Sequence, residues 1–281
     1  MTRREHIGFG LLAICAGFLV VLVLALVGYV VSGGWAVLSW DFLTSPPTNG
    51  MREGGIWPPI FGTIVLMLIT AVSATPLGVA CAIYLVEYAR EGWFVRLIRL
   101  AIRNLSGVPS VVYGLFGVGI FVNGMGFGPS LLASGLTLGL LTLPWTITAS
   151  EEALRRVPRS YRDGALALGA TPWESIARNV IPAALPGMIT GIILGLARAA
   201  GETAPILFTG VTFSRPDIPE SLLDTYMALP YHLYILSTQH QDIVRVRPVA
   251  FATATVLLAL VLLVNGTAAI VRSKVRANHA G

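Results

Sequence analysis

Two residues of opposite charge, Arg198 and Glu202, lie four positions apart in an otherwise apolar stretch, residues 187–210. A spacing of four places both side chains on one face of a helix. A charge inside a membrane is costly, and it normally faces a cavity or a charged partner. Two interpretations remain open: a structural ion pair that neutralises itself, or an Arg198 that meets an anionic solute while Glu202 positions it or gates the path.

Binding rather than catalysis is the chemistry that these residue types favour. The planar guanidinium of arginine can donate two parallel hydrogen bonds to a phosphate-like oxyanion. Cys15 and Cys81 lie in apolar runs, and the four histidines have no metal-ligand spacing. The only lysine is Lys274, so the chain has no P-loop for a nucleotide. We therefore expect no catalytic residue, metal or bound cofactor in this chain.

The composition is that of an integral membrane protein. The 281 residues are 55% hydrophobic and only 12% charged, whereas soluble domains carry about a quarter charged residues. The first apolar run is longer than that of a signal peptide, so we expect it to be retained. Runs without charge predict six transmembrane helices in an all-α fold, at about residues 8–31, 56–86, 108–122, 130–150, 187–210 and 248–271.

Breaks and bends also follow from the sequence. Pro76 predicts a bend in the second span, and the glycine-rich residues 122–129 predict the turn between the third and fourth spans. The distribution of lysine and arginine predicts the orientation. With both termini cytoplasmic, that side holds fourteen of these residues and the outer loops hold four.

A polar stretch, residues 151–186, separates the fourth and fifth spans and is called the elbow below. Its first short helical pattern is stopped by Gly169, a usual residue after a helix C-terminus. The next begins with Thr171, Pro172 and Glu174, which together form a capping box with proline in the first turn. A helix–glycine–helix unit of this kind either docks into another protein or lies against lipid headgroups.

The elbow resembles the EAA loop of ABC importer permeases. The residues that carry the resemblance are Asp163, Gly164, Ala165, Gly169 and Pro182. The sequence departs from the family pattern at Asp163, where glutamate is usual, at Gly164, where alanine is usual, and at Asn179, where isoleucine is usual.

This resemblance implies that the elbow inserts a coupling helix into a cleft on a separate ATPase subunit. It implies a coupling role for eight residues: Asp163, Gly164, Ala165, Gly169, Thr171, Trp173, Glu174 and Pro182. Trp173 would be the apolar plug in that cleft. The alternative for Trp173 is an anchor at the membrane interface, where tryptophan is enriched.

Small residues recur at every fourth position of the fifth span, at Gly187, Gly191 and Gly195. Such a stripe lets another helix approach closely, so we expect this face to pack within the bundle.

Three further stretches resemble the PstA-type permease of phosphate ABC importers: ARAAGETAPILFT at residues 197–209, GVPSVVYGLFG at 107–117, and residues 53–63. The resemblance implies a type I importer permease of the MetI-like fold, with Arg198, Glu202 and Thr203 in the substrate pathway. The alternatives are a permease for another oxyanion, such as molybdate or sulfate, or a secondary anion transporter.

The same resemblance implies the partners and the location. These are a second permease of PstC type, an ATPase dimer of PstB type that binds ATP and Mg²⁺, an extracytoplasmic phosphate-binding protein of PstS type, and the lipids of the bacterial inner membrane, with no nucleic acid. We expect an N-terminal helix and outer loop at 1–55, the importer domain at 56–271 and a basic cytoplasmic tail at 272–281.

Overall fold

The computed structural model describes residues 3–278 of the chain, and this part is almost entirely helical. Its helices are α1 (Arg3–Gly34), α2 (Trp40–Thr44), α3 (Trp57–Ile83), α4 (Trp93–Ser106), α5 (Ser110–Gly117), α6 (Leu131–Arg155), α7 (Arg159–Ala167), α8 (Pro172–Ser175), α9 (Ile181–Ala199), α10 (Ala204–Thr209), α11 (Leu229–Thr238) and α12 (Ile243–Asn278). A short antiparallel hairpin pairs β1 (Pro47–Thr48) with β2 (Glu53–Gly54).

Three helices continue into wider π-helical turns, in which the backbone bonds from residue i to i+5. These turns are Tyr84–Tyr88 after α3, Val118–Gly124 after α5, and Ile176–Val180 between α8 and α9. Single π turns inside α-helices are frequent at functional sites.

The helices long and apolar enough to cross a membrane agree with five of the six predicted spans. They are Gly8–Gly34, Trp57–Tyr88, Leu131–Arg155, Pro172–Ala199 and Ile243–Thr267. A sixth is reached only by counting α4 together with α5 and its π turn, two segments bent by 104°. Pro76 lies inside α3, and the predicted turn at 122–129 is present, with Gly126 and Gly128 at positive φ.

Two basic parts of the chain are helical. The basic stretch between the second and third spans forms the amphipathic helix α4. Residues 272–278 of the expected basic tail continue helix α12, while residues 279–281 lie outside the described part.

The fifth span also differs from its prediction. The helix begins earlier, with α8 and its π turn leading directly into α9. It ends at Ala199, and four residues without regular helix, 200–203, separate it from α10. Gly201 and Pro205 account for this break, because glycine is a poor helix former and proline favours the first turn of a new helix.

Helices α3 and α6 form the centre of the bundle. They approach closely because glycines on one helix face side chains on the other: Gly78 faces Thr146, and Gly135 and Gly139 face Ile69 and Ser73. Helix α1, in contrast, presents its apolar side chains outward, and none of its most hydrophobic window is buried. It contacts the rest of the chain near Gly33, which lies against Phe251 of α12.

The long segment between the fifth and sixth spans, residues 211–242, is a packed substructure. Tyr226 and His232 are completely or almost completely buried there. Burial raises the pKa of Tyr226 and lowers the pKa of His232 to about 4. Tyr231 and Tyr234 stack with their ring centroids 6.3 Å apart.

Candidate functional site

Arg198 lies in the last turn of α9, directly before the break in the fifth span. Its guanidinium carbon is 4.9 Å from the ring centroid of Trp145 on α6, a cation–π distance. Trp145 is fourteen residues from the start of α6 and ten from its end. At 1.5 Å per residue these separations are about 21 Å and about 15 Å. Because the hydrocarbon core of a bilayer is about 30 Å thick, these distances place Arg198 at membrane depth.

Arg198 and Glu202 form a loose ion pair. The Nε of Arg198 is 3.6 Å from Oε1 of Glu202, longer than a hydrogen bond. The prediction that both residues lie on one helix face was wrong, because α9 ends between them. The Arg198 side chain keeps 53% of its surface exposed, against 20% for Glu202. Within residues 3–278 the Arg198 guanidinium makes no hydrogen bond, so its donors can bind an anion.

Thr203 lies at the N-cap position of α10, next to Glu202 in the chain. Its hydroxyl makes no capping hydrogen bond within the described helix start, although threonine commonly caps in this way. The break therefore places Glu202 and the Thr203 hydroxyl on non-helical backbone at membrane depth, beside Arg198 in the last turn of α9. Such backbone is tolerated where it is buried in protein or lines a water-filled cavity.

A groove between α6 and α9 extends from Leu194, one turn before Arg198, to the elbow. Gly187 and Gly191 of α9 lie against Ala153 and Ala149 of α6, as close packing through small residues requires. Gly195 is looser, since a Cβ added there would lie 4.0 Å from the Cβ of Trp145. The groove encloses about 590 Å³, within the range of about 300–1,000 Å³ that is typical of ligand pockets.

The local geometry of the elbow agrees with its prediction. Helix α7 is followed by Gly169 with φ of +87°, a left-handed conformation that favours glycine. The Oγ1 of Thr171 accepts a hydrogen bond from the Glu174 N–H at 3.3 Å, and Glu174 accepts one from the Thr171 N–H at 2.9 Å. These bonds complete the predicted capping box. The bond that the carboxylate accepts from the Thr171 N–H, followed by that from the Thr171 hydroxyl, lowers the pKa of Glu174.

The tip of the elbow exposes apolar side chains. Leu168 is 91% exposed and Trp173 is 57% exposed. Asp163 and Gly164 also face outward from α7, while Ala165 is half-buried. Pro182 lies in the first turn of α9, where the elbow joins the fifth span. The residues with a predicted coupling role are therefore placed together at one end of the bundle.

Sequence reasoning missed two features of this region. Trp145 carries a weak signal, an aromatic residue after Pro144 within a span. The ion pair between Glu87 and Arg162 has no signal in the sequence, because the two residues are 75 positions apart and neither is unusual in its own stretch.

The fold and the site together define a multi-pass helical membrane protein with a broken charged span and an exposed helical elbow. The chain belongs to the family of binding-protein-dependent transport system inner membrane components, whose match covers residues 74–277. This membership confirms the family that the elbow motif indicated.

Individual relatives extend the similarity over most of the chain. The phosphate transport system permease protein PstA of Mycobacterium leprae (strain TN) is 38% identical over 254 residues, which cover 88% of this chain and 80% of that protein. PstA 1 of Mycobacterium tuberculosis (strain ATCC 25618 / H37Rv) is 34% identical over 249 residues, covering 86% and 79%. The probable ABC transporter permease protein YqgI of Bacillus subtilis (strain 168) is 34% identical over 223 residues, covering 78% and 76%.

Solved structures support the predicted fold class. The inward-facing MetNI methionine ABC transporter has a TM-score of 0.60 and 18% identity, covering 78% of this chain and 97% of that chain. An amino acid ABC transporter crystallised with histidines has a TM-score of 0.55 and 16% identity, covering 78% and 92%. The chain thus has the all-α, MetI-like permease fold.

Proposed function

We propose that the chain is the non-catalytic permease subunit of an ATP-driven phosphate importer and forms half of the translocation pathway. The observation that carries this proposal is Arg198, a half-exposed guanidinium at membrane depth, beside a break in the fifth span. An arginine there offers an oxyanion charge and hydrogen bonds without a buried partner that fully neutralises it. The names of the PstA relatives support phosphate as the anion.

Glu202 has a positioning role in this proposal. It lies on the flank of Arg198 at 3.6 Å, so it orients the guanidinium and weakens the attraction for an entering anion. A transport site must bind strongly enough to admit its solute and weakly enough to release it. Thr203 adds a hydroxyl that can donate to a phosphate oxygen.

The proposed orientation in the bacterial inner membrane has both termini in the cytoplasm. The elbow, the stretch between the second and third spans, and both ends of the chain carry most of the lysines and arginines, and cytoplasmic segments are enriched in these residues. The elbow then meets a PstB-type ATPase dimer through Leu168 and Trp173, which are exposed and apolar. ATP and Mg²⁺ bind that ATPase and not this chain.

The other half of the pathway belongs to a second permease of PstC type, and phosphate is delivered by a PstS-type binding protein outside. The exposure of Arg198 and Trp145 supports this arrangement, because the described chain leaves 53% of the Arg198 side chain and 45% of Trp145 uncovered.

Transport by the reconstituted complex tests the proposal. The complete complex is reconstituted in proteoliposomes with its ATPase facing the lumen, and ATP is enclosed there. Uptake of radiolabelled phosphate is then measured with and without excess sulfate or molybdate. We expect phosphate uptake that neither competitor suppresses, and its loss in Arg198→Gln with the ATPase still bound. Uptake blocked by sulfate or molybdate indicates the other oxyanion instead, and ATP-independent flux indicates a secondary transporter.

A further inference from the structure

Arg162 of helix α7 joins the elbow to the inner end of the second span. Its Nε donates to Oε2 of Glu87 at 2.9 Å, and its Nη2 donates to Oε1 at 2.5 Å. This is the two-pronged arrangement in which an arginine–carboxylate pair is strongest. The Glu87 side chain is only 6% exposed and that of Arg162 21%, so the pair is largely shielded from solvent.

The same guanidinium also holds the end of the fourth span. Its Nη1 donates to the Val157 carbonyl at 3.0 Å, and its Nη2 donates to the Leu154 carbonyl at 3.2 Å. Leu154 belongs to the last turn of α6, where backbone carbonyls lack partners within the helix. One side chain of the elbow is therefore bonded to both helices at the centre of the bundle.

The backbone of Arg162 links this contact to the second half of the elbow. The Oγ of Ser175, the last residue of α8, donates to the Arg162 carbonyl at 3.4 Å. Ser175 is buried, whereas Trp173 two residues before it is exposed. The same small unit thus carries both the exposed tip and the largely buried pair.

The backbone that carries Glu87, directly after α3, is suited to small conformational changes. It belongs to the π turn Tyr84–Tyr88, and π turns are found at functional sites and disturb regular helical bonding. A second arginine, Arg99 of α4, donates to the Leu85 carbonyl of this turn at 3.2 Å. Arg99 also pairs with Glu151 of α6, at 3.2 Å. The turn is held from two sides by charged side chains.

We propose that the Arg162–Glu87 pair is a mechanical link by which movement of the elbow displaces the inner ends of α3 and α6 together. The inference rests on the proposed function, since it assigns the elbow's movement to a docked ATPase. The continuous helix from Pro172 to Ala199 offers one route from the elbow to Arg198. The Arg162–Glu87 pair supplies a second route, into the two helices against which the site is built.

The consequence is that the pair positions the spans and has no contact with the solute. Removing one partner leaves the other charge in a poorly solvated place, which weakens the link far more than loss of an exposed pair would. The ATPase still binds, because Leu168 and Trp173 face away from the pair. ATP hydrolysis then continues, but less phosphate is transported for each ATP hydrolysed.

The test compares ATP hydrolysis with phosphate uptake in the full complex with its binding protein, for the wild type, Arg162→Gln, Glu87→Gln and Arg162→Lys. The matched control is Arg156→Gln, which removes an arginine from an exposed pair with Glu152, four residues apart on the same side of the bundle. We expect the phosphate carried per ATP to fall about tenfold in Arg162→Gln and Glu87→Gln, the scale of a typical coupling energy. The control should keep the wild-type ratio.

Arg162→Lys decides the outcome if a glutamine variant fails to assemble. Lysine keeps the charge but cannot make the four hydrogen bonds of the guanidinium. A lowered ratio in an assembled Lys variant supports the link, and an unchanged ratio overturns it. The proposed function fails separately: if the wild type imports a different anion with the same dependence on Arg162, phosphate is wrong and the link stands.

Discussion

Arg198 of α9 lies over the face of Trp145 of α6, with its guanidinium carbon 4.9 Å from the ring centroid. This contact holds the Arg198 guanidinium in place and leaves its charge available, which a full salt bridge in a transport pathway would not do. The ring face attracts the cation and shields one side of it, but its quadrupole does not neutralise the charge as a carboxylate would. The other side of the guanidinium stays available, with Glu202 at a distance of 3.6 Å.

Replacing Trp145 by leucine should therefore weaken solute binding without removing the site. A cation–π contact is worth about 0.5–1 kcal/mol at a partly exposed position. We therefore expect the KM for phosphate uptake to rise about two- to fivefold. Trp145→Phe is the matched variant, because it keeps an aromatic face, and its effect should be smaller. Equal KM values for the leucine variant and the wild type would contradict the role of the ring.

The glycine stripe of α9 provides a graded test of packing. A Cβ at Gly191 would overlap the Cβ of Ala149, whereas a Cβ at Gly195 would only touch that of Trp145 at 4.0 Å. We expect Gly191→Ala to destabilise the α6–α9 contact by about 1–3 kcal/mol, as overpacking does. Gly195→Ala should be neutral. Thermal unfolding in detergent distinguishes the two, and equal midpoints would mean that the helices separate more easily than this packing implies.

The sequence predicts some of these features well because their causes are local. The capping box of Thr171 and Glu174 depends on three neighbouring positions, and the left-handed Gly169 depends on the helix end beside it. The apolar runs likewise set the spans by composition alone. Arg198 was found in the same way, as a charge without a local reason to be in an apolar stretch.

Other features depend on contacts between distant parts of the chain, and these could not be predicted. Arg162 and Glu87 are 75 positions apart. His232 is buried by the fold of residues 211–242, a segment whose sequence resembles that of a loop. The break at residues 200–203 is an intermediate case. Gly201 and Pro205 are signals for it, but the apolar pattern continues through them and predicts an unbroken helix.

Gly169 should be intolerant of substitution, while its neighbour Gly164 should accept one. A side chain at Gly169 would have to adopt φ near +87°, and the left-handed region costs an ordinary residue about 1–2 kcal/mol. Gly169→Val should therefore distort the link between α7 and α8 and reduce coupling to the ATPase. Gly164 is helical with open space around it, so Gly164→Ala is the matched control.

Measurement of ATPase retention on co-purification, followed by uptake per ATP, checks this pair of variants. We expect Gly164→Ala to behave as the wild type and Gly169→Val to lose coupling. A fully coupled Gly169→Val complex would mean that the elbow does not need this geometry.

His232 should make the stability of the protein depend on pH. Burial lowers its pKa to about 4 in the folded chain, whereas an exposed histidine titrates near 6.5, roughly the value in the unfolded chain. Below about pH 6.5 the unfolded chain binds a proton that the folded chain refuses, so stability falls as the pH decreases toward 4. The full loss over this interval is on the order of 3 kcal/mol.

Replacing His232 by leucine should remove this dependence and also the buried ring nitrogens, which have no hydrogen-bond partner among the described residues. Thermal midpoints at pH 7.5 and pH 5, roughly on either side of the free histidine value, should differ less in His232→Leu than in the wild type. His240, near the surface and bonded to the Gly50 carbonyl, supplies the comparison, since His240→Gln should keep the wild-type difference. If His232→Leu also shows the wild-type difference between the two thermal midpoints, another group sets the acid sensitivity.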